Sequence, residues 1–538
     1  MNSTKENETM TTKPEYHQHE EFQNRMRKLS ELKSLGIDPY PHQFTPTSNA
    51  QDLLSKYQDQ PVGHSDEALH GQTPLVSVAG RLVLFRSMGK NSFAHIQDET
   101  GRIQVMFNRD TTELCGYSPK AEEGEEALSA YKVIEKKIDL GDILGIEGHL
   151  FRTNKGELTI FAKKVTLLCK TLLPLADKHA GLADKELRYR KRWLDLISNM
   201  DVQQTFRLRS KILQFIRQYF QNENFIEVET PVLQSIYGGA EARPFVTTLN
   251  ALEQEMFLRI SLEIPLKKLI IGGMNRVFEI GRVFRNEGID RNHNPEFTLM
   301  EAYAAYWDYN DMMRLVENLF EKLALEIYGK TQVPAVLSET GEEIFIDFKA
   351  PWPRLKMKES IQKYANLNVD DLTDEAMKKL LLESGHVDQK KIAGMSRGLL
   401  IAALFAVFVE HHLIQPHHII DHPIETTPLC KLHRNQADKD LGIVERFESF
   451  VLGQEICNAY SELNDPILQR SLLEKQADRR DAGDEEASPL DEEFIEAICQ
   501  GMPPTGGVGI GIDRLVMLMT NAHSIRDVLF FPWMKTQE

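Results

Sequence analysis

Long apolar runs are missing from this sequence. The longest, from Leu399 to Val409, is too short to cross a bilayer and predicts a buried helix instead. Residues 1–30 are polar and charged and hold no apolar h-region, so no secretory signal and no membrane association are expected. Cysteine is scarce too: the chain of 538 residues carries five, Cys115, Cys169, Cys430, Cys457 and Cys499, far apart and without a CxxC pair. That scatter argues against a disulfide framework or a zinc knuckle and fits a reducing cytoplasm. Positive charge is in deficit, with 63 Lys and Arg against 80 Asp and Glu and a net charge of -17. Global charge sets solubility and long-range repulsion, whereas nucleic-acid phosphates are met by local patches, so the deficit excludes nothing. One such patch is Lys185-Glu186-Leu187-Arg188-Tyr189-Arg190-Lys191-Arg192, which by itself reads as a solvated helix face.

What is present is an ordinary globular composition, 41% hydrophobic and 27% charged, in a chain too long for one core. Residues 1–72 form a polar N-terminal extension with a helix at Glu21–Leu35, ended by Gly36, Pro39 and Pro41. From residue 73 to 173 the pattern changes to short β-branched runs, Leu75–Phe85, Ser92–Asp98, Arg102–Phe107, Asp142–Phe151 and Leu158–Leu168, separated by turn signals. Five strands in that span predict a small barrel of the OB-fold type. After a linker at Leu172–Asp184 comes a helix at Gln203–Asn222, then mostly strands from Phe225 to Tyr306. Residues 308–420 read as mostly helical, 441–463 as strand pairs, and a final strand and helix follow a charged loop at Asp481–Glu493. Grouped rather than alternating elements predict an α+β domain on an antiparallel sheet flanked by helices, spanning 174–538 with a helical insertion at about 350–420.

Three stretches carry chemistry. In Arg276–Glu287 the alternation places Arg285 and Glu287 on one strand face. The loop Gly288–Pro295 holds Arg291, His293 and Asn294, and the return strand from Glu296 to Tyr306 sets Phe297, Leu299, Glu301 and Tyr303 on one face. A guanidinium, carboxylates and aromatic rings facing one volume suit a nucleotide. The alternative, a charged solvent face, fits poorly with such apolar flanks. In Gly506–Leu518 the glycines lack the Walker and GxGxxG spacings, but Gly507, Gly509 and Gly511 repeat at period two and leave a face on which a flat base could lie. Arg514 opens the next helix, whose N-terminus favours phosphate. Strand glycines alone mark close packing or a bulge as readily. In Arg446–Leu463 a turn at Leu452-Gly453 makes a hairpin bearing Glu448 and Glu455, a carboxylate pair suited to magnesium, with Asn458, Tyr460 and Glu462 on one face. An exposed strand edge would show the same spacing.

Together these stretches resemble the class II aminoacyl-tRNA synthetases. Phe284-Arg285-Asn286-Glu287 matches motif 2 of that class, Gly509–Arg514 matches motif 3, and Phe225–Pro231 after a long helix resembles motif 1 of the dimer interface. The similarity runs from about residue 75 to the C-terminus and, with the N-terminal barrel, points to the aspartyl, asparaginyl and lysyl subgroup. Gly238–Phe245, Arg285–Phe297 and Asn458–Asp465 are most like its lysyl members. The resemblance implies a lysine–tRNA ligase acting with ATP, Mg²⁺ and tRNA as a cytoplasmic homodimer. It further implies lysine contacts at Gly239, Glu263, Glu301, Tyr303, Asn458, Tyr460 and Glu462. ATP contacts would come from Arg285, Glu287, His293, Asn294, Phe297, Glu448, Gly511 and Arg514, with Arg285 and Arg514 catalytic, and Mg²⁺ ligation from Glu448 and Glu455. Anticodon contacts would come from Phe93, Gln104 and Glu157. The sequence departs from bacterial members at Ile264-Pro265-Leu266 and at Ile456-Cys457-Asn458-Ala459-Tyr460.

Charge favours lysine independently, because a desolvated ammonium needs carboxylate partners and Glu301 and Glu462 supply them, with Glu263 for the α-amino group. An aspartyl- or asparaginyl-type enzyme would not need those two acids together. A lysine ligase with a protein acceptor would lack the barrel. A silent nucleic-acid-binding scaffold would be free to lose Arg285, Glu448, Glu455 or Arg514.

Overall fold

The computed structural model describes residues 14–119, 128–175, 184–337, 340–387 and 389–536. The chain divides into two compact units, Met1–Asp184 and Lys185–Glu538.

The first unit is built on strands β1 (Leu75–Met88), β2 (Asn91–Gln97), β3 (Arg102–Asn108), β4 (Ile143–Arg152) and β5 (Leu158–Cys169). β1 pairs antiparallel with β2 and β4, β2 with β3, and β4 with β5, while a parallel pairing of β3 with β5 closes the barrel. Closure removes the free edges a five-stranded sheet would expose. Alternate residues fill its interior, among them Leu82, Ile96, Val105, Leu144 and Ile160. Helix α1 (Glu20–Ser34), ended by Gly36 at φ +81°, sends Leu32 into that same core. The expected linker lies partly outside the described residues. Helix α2 (Ala130–Lys137), unanticipated between strands, seats Tyr131 against the barrel with its hydroxyl 2.6 Å from Ser92 Oγ.

The second unit centres on an eight-stranded sheet. Its middle strands are β6 (Arg276–Phe284), β7 (Glu296–Ala305), β8 (His417–Pro423), β9 (Ile443–Val451), β10 (Gln454–Ser461) and β11 (Thr505–Gly511). In space they run β8-β9-β10-β11-β7-β6, all antiparallel, with short parallel strands at both edges. Helices α3 (Met200–Asn222), α5 (Tyr309–Tyr328) and α7 (Ile512–Thr520) cover one face, with α4 (Glu263–Ile271) and α6 (Arg397–Phe408) elsewhere. Ile216, Phe220, Val316, Phe320 and Val516 pack there on Phe278, Met300, Val508 and Ile510. Because strand side chains alternate, Met300, Ala302 and Ala304 of β7 enter this core, while Phe297, Glu301 and Tyr303 fall on the opposite face.

Several expectations need correction. Arg285 and Glu287 lie beyond β6, which ends at Phe284, so the loop positions them rather than strand alternation. The span expected to be strand-rich contains α4, which opens on Glu263 and carries Pro265 in its first turn, where a missing N–H has no intrahelical partner to lose. Residues 308–420 are mostly helical as expected but also hold a hairpin, Gln332–Val336 with Glu343–Asp347, and the start of β8; the helices between residues 357 and 413 have a core of their own around Ile361, Leu400 and Phe405. Strands this short show too few alternations to be read. The basic segment is no simple solvated face: Arg192 is 1% exposed and its Nη1 donates to Asp195 at 2.6 Å.

One buried pair ties three elements together. Asp513 on α7 accepts from Arg209 of α3 at 2.6 Å and from the Thr298 backbone N–H of β7 at 2.6 Å. Asp513→Ala strands a buried guanidinium, a loss of about 3–5 kcal/mol. A lowered thermal unfolding midpoint of the second unit is the expected result, and an unchanged midpoint rejects the argument.

Candidate active site

Opposite the helix-covered face lies a cavity of about 420 Å³, lined by side chains from β7, β9, β10 and β11, from α4 and from the loop after β6. Period-two alternation delivers Glu301 and Tyr303 from β7, Glu448 from β9, Asn458 and Tyr460 from β10, and Gly507, Gly509 and Gly511 from β11. Register adjusts this set: a bulge between Ser449 and Phe450 sets Glu455 opposite Phe450 and Asn458 opposite Glu448. The β9–β10 turn places both Leu452 (φ +55°) and Gly453 (φ +70°) in the left-handed region, and their N–H groups donate to Ile414 and Leu413 carbonyls.

One end of the cavity is acidic. Glu263, Glu301 and Glu462 are 4%, 5% and 1% exposed. Glu301 accepts from the Leu262 N–H at 3.0 Å and the Tyr303 hydroxyl at 2.9 Å; burial, then the nearby charge of Glu263, pushes its pKa up to about 7. Glu263 accepts from the Tyr460 hydroxyl at 2.6 Å and from Lys267 Nζ at 2.5 Å, both on Oε1. Glu462 meets the Lys267 ammonium through Oε2, while its buried Oε1 has no hydrogen-bond partner. A buried carboxylate oxygen without a donor awaits one. Gly239, at φ +83°, approaches so closely that a Cβ would stand 2.4 Å from Ser261 Oγ.

The other end is cationic and carboxylate-rich. Arg285 donates to the Ile260 carbonyl at 3.3 Å, and its guanidinium lies 5.2 Å from the Phe297 ring centroid. Burial lowers its pKa, opposed by Glu287, Glu455 and Glu301. Arg514 donates to the Glu455 carbonyl oxygen at 2.8 Å and approaches Oε2 at 3.4 Å, while Arg446 donates to Glu448 at 2.5 Å and to Asn458 Oδ1 at 3.0 Å. Negative charge is concentrated here: burial, then Glu448 and Glu455, pushes the pKa of Glu410 up to about 7. The hard carboxylate oxygens of Glu448 and Glu455 are of the kind that suits a divalent cation such as Mg²⁺. In the loop, Asp290 accepts from the backbones of Asn292 and His293 and meets His293 Nδ1 at 2.8 Å. Asn294 donates to the Glu296 carbonyl at 2.6 Å.

The glycine face differs from expectation. Room beside Gly507 is taken, since a Cβ there would lie 2.0 Å from Glu462 Oε1 and 2.5 Å from the Tyr303 ring. Only the Gly509 and Gly511 positions stay open, with nearest atoms at 3.7 and 3.8 Å. A base can lie over two of the three.

The family model described as tRNA synthetases class II (D, K and N) matches residues 184–535, and that of an OB-fold nucleic acid binding domain matches 76–168. This chain is a class II tRNA synthetase. It is 57% identical over 526 residues to a lysine–tRNA ligase of Chlamydia caviae, with 97% of this chain and 98% of the relative covered. It is 56% identical to one of Chlamydia pneumoniae (98% and 98%) and 44% identical to one of Listeria monocytogenes (97% and 99%). No helix among the described residues of the synthetase is long and apolar enough to cross a membrane.

In the synthetase's barrel, Phe93 pairs with Met106 and His95 with Gln104 across β2 and β3, putting all four on one face. Gln104 Nε2 donates to Glu157 at 2.7 Å and His95 Nε2 meets Glu157 at 3.0 Å, so these three join, while half-buried Phe93 packs in a cluster with Met106, Phe151 and Phe161. Sequence reasoning missed His95, Arg446, Asp290, Ser261 and Lys267. Arg446 stood inside a stretch already singled out, whereas Lys267 carried no signal beyond its i,i+4 spacing from Glu263.

Gly507→Ala should lower the unfolding midpoint by the equivalent of about 2–3 kcal/mol through overpacking against Glu462 and Tyr303. Gly511→Ala should leave it nearly unchanged. Thermal melts of both variants check the contrast, and equal midpoints contradict it.

Proposed function

We propose that this synthetase is a lysine–tRNA ligase that converts L-lysine and ATP to lysyl-adenylate and pyrophosphate and then esterifies lysine to the terminal adenosine of its tRNA. The buried Glu462 carboxylate, with its Oε1 unpartnered beside Glu263 and Glu301, carries this reading. A lysine ε-ammonium is the donor such a site lacks, with Glu301 and Glu462 as its partners and Glu263 taking the α-amino group. Tyr303, Tyr460, Asn458 and Gly239 complete the lysine site, the rings covering the aliphatic stem. An aspartate side chain would meet carboxylates where it needs a cation.

ATP would lie between Phe297 and the open glycines, with Arg285 on the α-phosphate, Arg514 on the outer phosphates, and Glu287, His293 and Asn294 bordering them. Gly511 leaves the base its room. Glu448 and Glu455 would hold Mg²⁺, which supplies charge neutralisation to the phosphates when bound. The lysine carboxylate oxygen bonds to the α-phosphorus as the bond to the β-phosphate bridge breaks and pyrophosphate departs. The tRNA ribose hydroxyl then bonds to the lysyl carbonyl carbon, losing its proton as AMP leaves. No protein nucleophile is needed; positioning and charge neutralisation suffice.

Residues 73–173 act in this reading as the anticodon barrel, with Phe93 a stacking platform and Gln104 and Glu157 reading base edges. Residues 1–72 are its extension, and 174–538 the catalytic domain. Exposed apolar side chains at Ile226 (54%), Val246 (58%) and Leu252 (68%) support homodimerisation through the motif 1 region. The cytoplasm is the expected compartment.

Pyrophosphate exchange across all twenty amino acids should respond to lysine, and Arg285→Ala should nearly abolish it. Exchange by that variant near the wild-type rate refutes the role. The half-saturating lysine concentration should fall as pH rises through about 7, because Glu301 must shed its proton to receive an ammonium; below that pH the limit is about tenfold per unit. Glu301→Gln should flatten the profile, and a profile in the variant identical to wild type counts against Glu301.

A further inference from the structure

Lys267 has no part in the chemistry above, yet it is the most fully enclosed cation in the pocket wall. Its side chain is 0% exposed and sits one helical turn after Glu263 on α4. The ammonium meets Glu263 Oε1 at 2.5 Å and Glu462 Oε2, and lies 5.4 Å from the Tyr460 ring centroid and 5.9 Å from that of Phe494. It does not line the cavity; it stands behind the two carboxylates that do.

Burying three carboxylates in one wall costs far more than burying one pair, and each must find a positive partner or keep a proton. Lys267 compensates one of the three. Two negative charges then remain, and free lysine brings two ammonium groups. An amino acid with a single ammonium would leave a carboxylate buried and unpaired, which a closed site tolerates badly. Lys267 is bonded so as to leave the substrate room: on Glu263 both resident donors share Oε1, leaving Oε2 for a ligand, and on Glu462 the contact is to Oε2, leaving Oε1.

We propose that Lys267 is a positioning and specificity-determining residue, a resident counter-ion that sets the amino-acid pocket to two net negative charges so that it matches a substrate carrying two ammonium groups. The inference rests on the lysine reading given above. Glu263 on its own helix, Glu301 and Tyr303 from β7, Tyr460 from β10 with Glu462 just past its end, and Cys430 are the titratable groups facing this wall, with Arg285 and Arg446 the nearby guanidinium groups. Burial works against the charge on Lys267, but Glu263 and Glu462 outweigh it and hold its pKa above the ordinary lysine value, so it stays cationic throughout the working range.

The experiment is lysine-dependent pyrophosphate exchange by the full-length enzyme over pH 6–9, comparing wild type, K267M, K267R and K267M/E462Q. Without the resident charge an extra proton must be held by the acids. K267M should therefore raise KM for lysine about tenfold or more with KM for ATP and kcat little changed, and should move the inflection in the lysine KM profile upward by about one pH unit or more. K267R, which keeps the charge, should retain the wild-type inflection. K267M/E462Q removes both partners and restores the charge count, so its inflection should return to the wild-type position whatever its affinity, and it serves if K267M alone does not fold. An unshifted inflection in folded K267M, or a shifted one in the double variant, overturns the proposal. Wild-type exchange that ignores lysine would instead sink the reading of function, so the two failures are distinguishable.

Discussion

The catalytic unit depends on burying carboxylates at the centre of its sheet without leaving their charge unanswered. Glu263, Glu301 and Glu462 arrive from a helix, a strand and the residue just past another strand, and each is almost fully out of water. Desolvation of that order would normally neutralise a carboxyl group or unfold the wall around it. The fold answers with a buried ammonium, two tyrosine hydroxyls and a backbone N–H, and still leaves Oε1 of Glu462 without a partner. In the proposed function that free oxygen is where a cationic substrate is met.

The same demand explains the surrounding architecture. Six antiparallel strands give a rigid surface on which every second residue faces the cavity while its neighbours are locked into a helix-covered core. Gly507 is there because the Glu462 carboxylate and the Tyr303 ring occupy the space a side chain would need. Asp513, joined to Arg209 and to the Thr298 backbone, fixes α7 against β7 and thereby the approach of Arg514 to the cavity. Packing and electrostatics at this site are a single constraint.

At the cationic, carboxylate-rich end, charges answer one another across the cavity. Arg446 holds Glu448 and Arg514 holds Glu455, so these two acids each meet a guanidinium group. A nucleotide with its cation can take over these partners, the phosphates engaging the arginine and the metal the carboxylates. In the proposed function such an exchange of partners would orient the groups in advance and lower the cost of organising them around a nucleotide.

The sequence by itself determined the barrel, the antiparallel α+β plan and the stretches that build the site, because strand alternation, turn glycines and the three motif-like segments are local properties of the chain. It also named most of the acids and two of the three arginines that line the cavity, since these fall within a few short motif-like segments. Only the tertiary structure decided that Glu263 begins a helix, that Arg285 and Glu287 sit beyond their strand, and that Gly507 makes room for Glu462 and not for a base. It alone brought Lys267 behind Glu263 and Glu462. Which oppositely charged groups meet across hundreds of residues depends on sheet order and register, and no local pattern encodes those.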